Sequence, residues 1–504
     1  MADASTSEPS ERPPIPPGPY LVFGLARAGH AAIQALSERF GTDSVRAWDD
    51  SDAARRRLGP GVRIVDMRDH DAALREVQTI VKSPGVPIDH RLLGEARHRG
   101  LTVIDELELG WRLSKQPLIA VTGTNGKSTT TVLIAAALRG DQQGVALAGN
   151  VEAVQGGGPL SALSPEHRGW ILAEVSSYQA VGLSEMLPDV GVFTNLTPDH
   201  LHWHGSMQAY GEAKSRVFFH GSRCVKLAVL NCDDPLGRLL QRAVQERGGQ
   251  TVGYGWATDA DYRIEACEWG ATAGRVVLST PSGTLKLDVS LPGVHNAANI
   301  AAAIATADGV GIAQERSLPA ILATTAPPGR LERVDAGQDF ELFVDFAHSP
   351  DSVRSVLATL RTLARDRAGR LIAVLGLPVG APATRRECGR VAREGCDHLI
   401  LDAWSLRGEP PLLSLQALRA GAREVDGASV QSALNRRTAI GMAISQARAG
   451  DVVAILGRGP LRTIAWDRHL ARVPFDDRLV AQELLLNGQP RERADLPEAS
   501  SAVA

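Results

Sequence analysis

The sequence predicts an α/β protein built from several domains, each with a mostly parallel sheet. The chain has 504 residues, and one hydrophobic core rarely serves so long a chain, so more than one domain is expected. Short apolar runs such as YLVF and LIAV alternate with glycine turns and amphipathic segments, the order of elements in strand–helix–strand units. Several of these runs end in polar residues, as strands do where a parallel sheet presents its carboxyl ends to a ligand.

Composition excludes several kinds of protein. Hydrophobic residues make up 44% and charged residues 22% of the chain, with a net charge of -3, so it carries no excess of basic charge for nucleic acid or anionic membranes. Five cysteines without a CxxC pair argue against a disulfide framework and a structural zinc site. No apolar stretch reaches the roughly 18 residues of a membrane span. We therefore expect a cytoplasmic monomer that neither binds nucleic acid nor inserts into a membrane.

Three domains are expected between two loose ends. Residues 1–18 are proline-rich and charged, a composition that predicts a disordered arm. The alternation of elements then predicts a first domain over 19–112 and a second over 113–326. The Pro-Pro-Gly cluster in ATTAPPGRLERV predicts a linker, after which a third domain is expected over 327–488. The polar segment 489–504 is expected to be a flexible tail.

The first predicted domain begins like a mononucleotide-binding unit. YLVF predicts a buried strand, GLARAG a glycine turn and AAIQALSERF an amphipathic helix, while SVRAWDD predicts a second strand that ends in acid. TIVKSPGV predicts a strand closed by a tight turn, because Pro and Gly follow a β-branched run. HRLLGEARHRG and LTVID continue the alternation as a helix and a strand.

The second and third predicted domains follow the same alternation. PLIAVTGTNGKSTTTVLIAAAL predicts a strand, a glycine-rich turn and a helix, and WILAEVSS, VGVFTNL and KLAVLN predict further buried strands. HNAANIAAAIATADGVGI predicts a packed helix, because Asn299 and Asp308 lie inside it and its length is wrong for a membrane span. In the third domain ELFVDFAHSP, RLIAVLG, HLILDA and DVVAILG predict strands that alternate with helical segments.

The segment VTGTNGKST carries the clearest chemical signal in the chain. A strand ends in two glycines, and Lys127 and Ser128 then open a helix. Backbone N–H groups and the helix N-terminus can face phosphate, while Lys127 supplies positive charge and Ser128 a hydroxyl for magnesium. Val121 stands where the general GxxxxGK[ST] loop has its first glycine, so that motif gives only partial support. A glycine turn with an incidental lysine is the alternative.

Residues after two further predicted strands suggest metal ligands. Glu174 ends the strand in LAEVSSYQ, a usual position for an acid that binds magnesium, although a salt-bridged glutamate would give the same pattern. The segment FTNLTPDHLHWHG crowds four metal-binding side chains: Asp199, His200, His202 and His204. Histidines at this spacing suit zinc as well, so the residues alone leave the metal open.

Lysine is scarce in this sequence. Only six of the 54 basic residues are lysine. A lysine that remains is of interest because arginine cannot be deprotonated to give a neutral amine. Lys214, in YGEAKSRVF, has no local pattern that separates it from an ordinary lysine on a helix surface.

Seven motifs occur in a fixed order between residues 122 and 352: TGTNGKST, EVSSYQ, NLTPDHLHWHG, YGEAK, LPGVHNAAN, PGRLERV and VDFAHSPDS. The series resembles the ATP-dependent Mur ligases of peptidoglycan synthesis, and the resemblance covers roughly residues 20–480. TGTNGKST alone also suits the related folylpolyglutamate and cyanophycin ligases, whereas the ordered series is more specific. GLARAG with the later Asp49, KSPGVPIDH, VIDELELGWRL and SSYQ look like the branch of the family that adds D-glutamate.

The resemblance implies residues for ATP and magnesium. The ATP phosphates would be held by Gly123, Thr124, Asn125, Gly126, Lys127, Ser128 and Thr129. Adenine contacts would come from Asn296 and Asn299, and further nucleotide contacts from Arg330 and Asp345. Two magnesium ions would be held by Ser128, Glu174, His200 and Lys214, the last after carbamylation by carbon dioxide. The catalytic set implied in this way is Lys127, Glu174, His200 and Lys214.

The resemblance also implies where the other substrates bind. The first domain would hold the uridine nucleotide through Ala26, Arg27, Asp49, Ser83 and Gly85. Asn150, Ser177 and His348 fall at positions that face the rest of the substrate in the family. The reaction implied is phosphorylation of the C-terminal carboxylate of UDP-N-acetylmuramoyl-L-alanine by ATP, followed by attack of the amine of D-glutamate on the acyl phosphate.

The third predicted domain departs from the D-glutamate-adding pattern. AHSPDS, PGRLERV and PFDDRLVAQELL look like the members that add diaminopimelate or lysine, yet the Asp-Asn-Pro-Arg signature for diaminopimelate is missing. Three hypotheses therefore remain. The chain adds D-glutamate; or it adds another amine, such as L-glutamate, diaminopimelate, lysine or a specialised-metabolite substrate; or it is a degenerate paralogue that binds a nucleotide precursor and regulates or scaffolds.

Overall fold

The computed structural model divides the chain into two compact units, residues 1–327 and 328–504. The residues that it describes are 12–58, 61–65, 70–150, 157–164, 166–269, 273–377, 382–403, 411–426, 429–464 and 473–487. Both units combine largely parallel sheets with helices, which confirms the predicted α/β class. The division falls inside the Pro-Pro-Gly segment that predicts a linker.

The first sheet of the N-terminal unit is formed by β1 (Tyr20–Phe23), β2 (Val45–Trp48), β3 (Arg63–Ile64), β4 (Thr79–Lys82) and β5 (Thr102–Asp105). Across the described residues the strand order is β3-β2-β1-β4-β5, and all pairs are parallel. Its helices are α1 (Arg27–Phe40), α2 (Asp52–Arg56), α3 (His70–Leu74), α4 (Arg91–His98) and α5 (Glu106–Leu113). Every residue of β1 and β4 is buried, as expected for central strands of a parallel sheet that is covered on both faces.

A larger sheet in the same unit carries the predicted phosphate loop. Its strands are β6 (Leu118–Thr122), β7 (Val145–Gly149), β8 (Trp170–Glu174), β9 (Val190–Phe193), β12 (Leu227–Asn231), β13 (Gln250–Gly255), β14 (Tyr262–Trp269), β15 (Gly274–Thr280) and β16 (Gly283–Val289). In the described residues their order is β16-β15-β14-β13-β12-β9-β6-β8-β7, and only the pairs made by β15 are antiparallel. A short antiparallel ribbon, β10 (Phe219–His220) with β11 (Arg223–Cys224), lies outside the sheet.

Helices cover both faces of this larger sheet. They are α6 (Lys127–Gly140), α7 (Ser177–Ala180), α8 (Leu201–His204), α9 (Met207–Ser215), α10 (Pro235–Gln245), α11 (His295–Gly309) and α12 (Gln314–Leu322). The alanine-rich helix α11 is buried along most of its length and packs in the main core of the unit, as its sequence predicts. No helix among the described residues is long and apolar enough to cross a membrane.

The segment before β1 contacts the N-terminal unit from Arg12 onward. The guanidinium group of Arg12 donates to the carbonyl oxygens of Trp111 and Ser114, at 2.7 and 2.6 Å, and to that of Gln116. The hydroxyl of Tyr20 donates to Pro16 O at 2.9 Å. Residues 12–18 of the arm predicted to be disordered are therefore bound to the chain, because Arg12 donates to carbonyl groups in the last turn of α5 and in the segment between α5 and β6. Residues 1–11 lie outside the described residues.

The C-terminal unit has a third sheet, formed by β17 (Glu332–Arg333), β18 (Glu341–Asp345), β19 (Leu371–Leu375), β20 (His398–Asp402), β21 (Ser429–Ala433) and β22 (Val452–Leu456). Within the described ranges the order is β17-β18-β22-β19-β20-β21, parallel except for β17. Its helices are α13 (Pro350–Asp366), α14 (Pro382–Gly395), α15 (Pro411–Ala422), α16 (Arg436–Gln446) and α17 (Asp477–Asn487). A ribbon of β23 (Thr463–Ile464) and β24 (Val473–Pro474) completes the unit. The tail 489–504 lies outside the described residues.

Candidate active site

The predicted phosphate loop connects β6 to α6 in the larger sheet. Gly123 and Gly126 have φ values of 148° and 83°, which side chains with a Cβ rarely adopt. A Cβ on Gly126 would also lie 2.4 Å from Asn299 Oδ1. Lys127 begins α6, and its Nζ donates to Thr124 O at 2.8 Å. The loop therefore has the backbone turn and helix N-terminus that phosphate binding needs.

The end of β9 holds this loop in place. Asn125 N donates to Asn195 Oδ1 at 2.9 Å, and the hydroxyl of Thr194 donates to Asn125 O at 2.7 Å. The hydroxyl groups of Thr124 and Tyr210 lie 3.2 Å apart. Sequence reasoning assigned no role to Asn195, Thr194 or Tyr210. For Thr194 and Asn195 the sequence did contain a signal: they are polar residues directly after the apolar run VGVF, and neighbouring parallel strands place such residues at one edge of the sheet.

Ser128, Glu174 and Asn150 form a group of oxygen and amide side chains beside the loop. Ser128 Oγ donates to Glu174 Oε2 at 2.7 Å, and Asn150 Nδ2 donates to Glu174 Oε1 at 3.1 Å. Glu174 is 1% exposed. Both carboxylate oxygens of Glu174 therefore accept from uncharged side chains, not from the cation that the alternative explanation, a salt bridge, requires. A buried carboxylate next to a hydroxyl is a donor set that magnesium prefers.

The histidines after β9 contact the short helix α7. The ring nitrogen Nδ1 of His200 lies 3.2 Å from the hydroxyl of Tyr178, and Nε2 of His204 lies 2.9 Å from Ser177 Oγ. His200 has a φ of 54°, an uncommon conformation for a residue other than glycine. Burial, and then the charge of Lys214, lower the pKa of His204 to about 4. His204 is therefore neutral at physiological pH and can share a proton with Ser177.

Lys214 is buried, which removes the alternative of a lysine on a helix surface. The side chain is 1% exposed, its Nζ donates to Gly123 O at 2.5 Å, and it lies 4.4 Å from the centre of the Tyr210 ring. Burial, with a further contribution from the charge of Lys127, holds the pKa of Lys214 well below its ordinary value. The neutral amine is therefore much more accessible here than in an exposed lysine.

The two asparagines predicted to contact adenine lie at the start of α11. Asn296 and Asn299 are 5% and 6% exposed, and Asn299 Nδ2 donates to Asn296 Oδ1 at 2.7 Å. The hydroxyl of Thr130 donates to Asn299 Oδ1 at 3.2 Å. The pair therefore lies against the first turn of α6, next to the phosphate loop. The structure places the ATP-loop residues, Glu174, Lys214 and these asparagines around one end of the larger sheet.

The predicted uridine-binding residues lie at the carboxyl edge of the first sheet. Asp49 Oδ2 accepts from Leu25 N at 2.6 Å, and Ser83 Oγ donates to Gly24 O at 2.6 Å. Gly24 has a φ of 94°, so the β1–α1 turn depends on glycine. Two further predicted residues follow this turn: Ala26 precedes α1 and Arg27 begins it. Gly85, the last of the predicted set, faces open space, because a Cβ there would meet nothing within 4 Å.

The C-terminal unit carries the three remaining predicted residues. Asp345 ends β18, is 6% exposed and accepts two backbone N–H groups at 2.7 Å. Burial raises the pKa of Asp345, and the charge of Arg330 opposes this. The guanidinium of Arg330 lies 4.8 Å from the ring centre of Phe346, and His348 Nδ1 lies 2.7 Å from Phe346 O. Arg330, Asp345 and His348 therefore belong to one local group at the start of the unit.

Comparison with protein families identifies this architecture. The profile of the Mur ligase middle domain matches residues 121–307, and that of the Mur ligase glutamate ligase domain matches residues 329–459. A ligase from Geobacillus thermodenitrificans is 32% identical over 413 residues, which cover 76% of this chain and 82% of the relative. One from Solibacter usitatus is 35% identical over 390 residues, 73% and 77% of the two chains. Both are named UDP-N-acetylmuramoyl-L-alanyl-D-glutamate--2,6-diaminopimelate ligase.

Solved structures share the fold over most of the chain. The UDP-N-acetylmuramate-alanine ligase of Thermotoga maritima superposes with a TM-score of 0.60 at 18% identity, covering 93% of this chain and 98% of that one. A pseudomurein peptide ligase of Methanothermus fervidus gives 0.55 at 17% identity, with 93% and 100% covered. The fold and the profile matches define an ATP-dependent amide ligase. The chain belongs to the Mur ligase family.

Proposed function

We propose that this chain joins an amino acid to the peptide carboxylate of a UDP-N-acetylmuramoyl precursor at the expense of ATP. The observation that supports this most is the grouping of Lys127, Ser128, Glu174 and buried Lys214 around one phosphate loop. These residues supply positive charge, oxygen ligands and an amine of lowered pKa at one edge of a parallel sheet. A degenerate paralogue that only binds a precursor would not need all four of these residues, so their presence favours an active ligase.

The chemistry follows from the weakness of a carboxylate as an acceptor. The carboxylate oxygen attacks the γ-phosphorus of ATP, ADP leaves, and an acyl phosphate forms. The amine of the amino acid then adds to the carbonyl carbon and loses a proton, and the C–O bond to phosphate breaks. In this proposal Lys127 and the backbone N–H groups of the loop lower the cost of the charge that develops on the transferred phosphoryl group.

Magnesium fits the donors around Glu174. The Ser128 hydroxyl and the Glu174 carboxylate are oxygen groups 2.7 Å apart, and such hard donors favour magnesium over zinc. We propose Ser128, Glu174, His200 and carbamylated Lys214 as the residues that would hold two magnesium ions. Bound magnesium would neutralise phosphate charge. Carbamylation of Lys214 requires a neutral amine, which the buried environment favours.

For the amino acid we propose diaminopimelate, with UDP-N-acetylmuramoyl-L-alanyl-D-glutamate as the acceptor. The curated relatives are named for this addition, and they favour it over the D-glutamate addition that the sequence motifs of the first domain predict. The missing Asp-Asn-Pro-Arg signature means that the chain would grip diaminopimelate with other residues.

A second candidate is D-glutamate addition to UDP-N-acetylmuramoyl-L-alanine. The observation that favours it is the first domain, where GLARAG, Asp49 and Ser83 meet at one edge of a parallel sheet, and where the motifs look like the D-glutamate-adding branch. Addition of L-glutamate to the same precursor is compatible with the same observation, because the precursor would bind at the same edge of the first sheet.

One experiment separates these proposals. Purified protein is incubated with ATP, magnesium and either precursor, together with diaminopimelate, L-lysine, D-glutamate, L-glutamate or no amino acid, and products are identified by mass spectrometry. The leading proposal predicts a product only from the dipeptide precursor with diaminopimelate. A product from UDP-N-acetylmuramoyl-L-alanine with D-glutamate would replace it with the second candidate. No product and no ADP in any reaction would contradict ligase activity on these precursors.

A further inference from the structure

Three buried carboxylates lie at the start of α5, in the first predicted domain. Asp105 precedes the helix, Glu106 begins it, and Glu108 follows within the first turn; their exposures are 0%, 1% and 0%. A buried carboxylate is costly unless it is paired or hydrogen-bonded. None of the three has a role in the proposed chemistry, so the burial of these carboxylates needs a separate explanation.

Asp105 pairs with a buried lysine beneath a loop of the second predicted domain. Lys82 Nζ lies 2.7 Å from Asp105 Oδ2, and both side chains are at most 1% exposed. A Cβ on Gly182 would lie 2.9 Å from Asp105 Oδ2 and 3.1 Å from Lys82 Cε. Gly182 therefore closes over the ion pair, with no room for a larger residue.

Glu106 binds a second loop of the second predicted domain, and Glu108 binds the loop that contains Gly182. Glu106 Oε1 accepts from the backbone N and the hydroxyl of Ser161, at 2.8 and 2.5 Å. Glu108 Oε2 accepts from Ser184 N at 2.7 Å, and Arg112 bridges Glu108 and Glu185 at 2.7 and 3.0 Å. All three carboxylates therefore join the first sheet to segments that pack against the second.

These contacts lie between the predicted uridine-binding residues of the first sheet and the residues around the phosphate loop of the larger sheet. Lys82 immediately precedes Ser83, which the family resemblance places at the uridine. Gly182 and Ser184 follow the short helix that carries Ser177. The turn at Ser161 follows Gly158, whose carbonyl accepts from Gly149 N at 2.9 Å. Gly149 is the neighbour of Asn150, which binds Glu174.

We propose that Asp105, Glu106 and Glu108 are positioning residues that fix the spacing between the uridine end and the carboxylate end of the precursor. The proposal rests on the proposed function, in which one precursor spans both ends. A rigid junction would present both ends of the binding site to the precursor without further ordering, and a preorganised site binds more tightly because less free energy is lost to ordering on binding. Residues 1–327 form one compact unit, which agrees with a fixed junction.

The direct test is Gly182→Ala, with Gly94→Ala as the matched control. Gly182 is not at a positive φ, so alanine acts through its contacts with Lys82 and Asp105; a Cβ on Gly94 would meet nothing within 4 Å. We expect Gly182→Ala to raise KM for the precursor by about tenfold, with KM for ATP unchanged and Gly94→Ala like wild type. An unchanged precursor KM, or equal losses for ATP and precursor, would overturn the proposal.

A second pair of variants distinguishes positioning from folding. Glu106→Ala removes the acceptor of Ser161, whereas Glu106→Gln retains an oxygen there. We expect the alanine variant to raise the precursor KM and the glutamine variant to restore most of it, while hydrogen exchange near residue 161 accelerates only in the alanine variant. Faster exchange without a change in KM would overturn the proposal.

Calorimetry with UDP-N-acetylmuramoyl-L-alanyl-D-glutamate, the acceptor of the leading proposal, separates failure of this proposal from failure of the proposed function. If wild type binds this precursor but turns over no substrate, the ligase proposal is contradicted. The affinities of Gly182→Ala and Gly94→Ala for the precursor would then still test the positioning role. Equal affinities of the two variants, or no binding by wild type, would overturn the positioning role.

Discussion

Two regions of this protein bury charged side chains in opposite ways. In the C-terminal unit Arg436 pairs with Asp402 and Asp477 at 2.5 and 2.8 Å, and Arg458 pairs with Asp477 at 3.1 Å; all four side chains are fully buried. In the N-terminal unit buried Lys214 forms no ion pair among the described residues, and its amine donates to a single carbonyl.

The difference separates a structural network from a reactive group. Two arginines and two aspartates balance in charge, so each buried charge has an opposite partner, and removal of one partner would leave another charge uncompensated. A buried lysine whose strongest charged neighbour is another lysine, Lys127, is held in the state of lowered pKa that is typical of functional sites. Burial of a charged group alone therefore does not identify a reactive site. Burial without an ion-pair partner among the described residues, as at Lys214, does.

The largest expected effect is loss of turnover in Lys214→Ala. Without the amine the proposed carbamate cannot form, so we expect the ATP-dependent rate to fall by about a hundredfold to a thousandfold while the melting temperature stays near that of wild type. Addition of a short carboxylate such as acetate should restore part of the rate. Lys286→Ala, at an exposed lysine of β16, is the control, and full activity in Lys214→Ala would refute the role assigned here.

The next effect is on stability and belongs to the balanced network. Arg436→Met leaves Asp402 and Asp477 buried without their shared partner, so we expect the free energy of unfolding to fall by about 3–5 kcal/mol in urea denaturation. Arg437, one residue later, pairs with Glu483 at the surface, and Arg437→Ala should cost less than about 1 kcal/mol. Equal losses in the two variants would contradict the distinction between them.

A smaller effect is expected at the junction and depends on pH. Burial, opposed by the hydrogen bonds from Ser161, raises the pKa of Glu106 from 4.5 to about 7. The folded state thus binds the proton more tightly than the unfolded state, and the ionisation of Glu106 lowers stability as pH rises from about 4.5 to about 7. Nearby Asp105 adds to the shift.

Glu106→Gln should remove that pH dependence. Relative to this variant, wild type should lose up to roughly 3 kcal/mol of stability between pH 4.5 and pH 7.5, as measured by denaturation at each pH. Glu38→Gln, at an exposed glutamate of α1, serves as control. Parallel profiles of wild type and Glu106→Gln would show that Glu106 titrates at its ordinary pKa.

Sequence reasoning predicted the strands and helices well because each buried parallel strand is an apolar run that ends in polar residues. The runs YLVF, LIAV and WILA are strands, and the helix predicted to open at Lys127, within TGTNGKST, begins there. The antiparallel extension β14–β16 was not predicted, because YRIEACEW and GTLKLDV are half-exposed and lack a continuous apolar run.

The candidate site was predicted from motifs, and its supporting contacts were not. Lys214 has no local pattern, and its burial depends on residues far away in sequence, such as Gly123. Asp105, Glu106 and Glu108 look like an ordinary acidic helix start, since acidic residues are favoured there. Only the packing of two sheets shows that they are buried against other segments.

The central claim is that the precursor carboxylate is activated as an acyl phosphate, and isotope transfer tests it most directly. The precursor is prepared with ¹⁸O in its C-terminal carboxylate and turned over with ATP and the amino acid that gives product. Cleavage of the C–O bond leaves one carboxylate oxygen on the phosphate, so the account predicts one ¹⁸O in each inorganic phosphate released. Phosphate without ¹⁸O, formed together with the amide product, would contradict it.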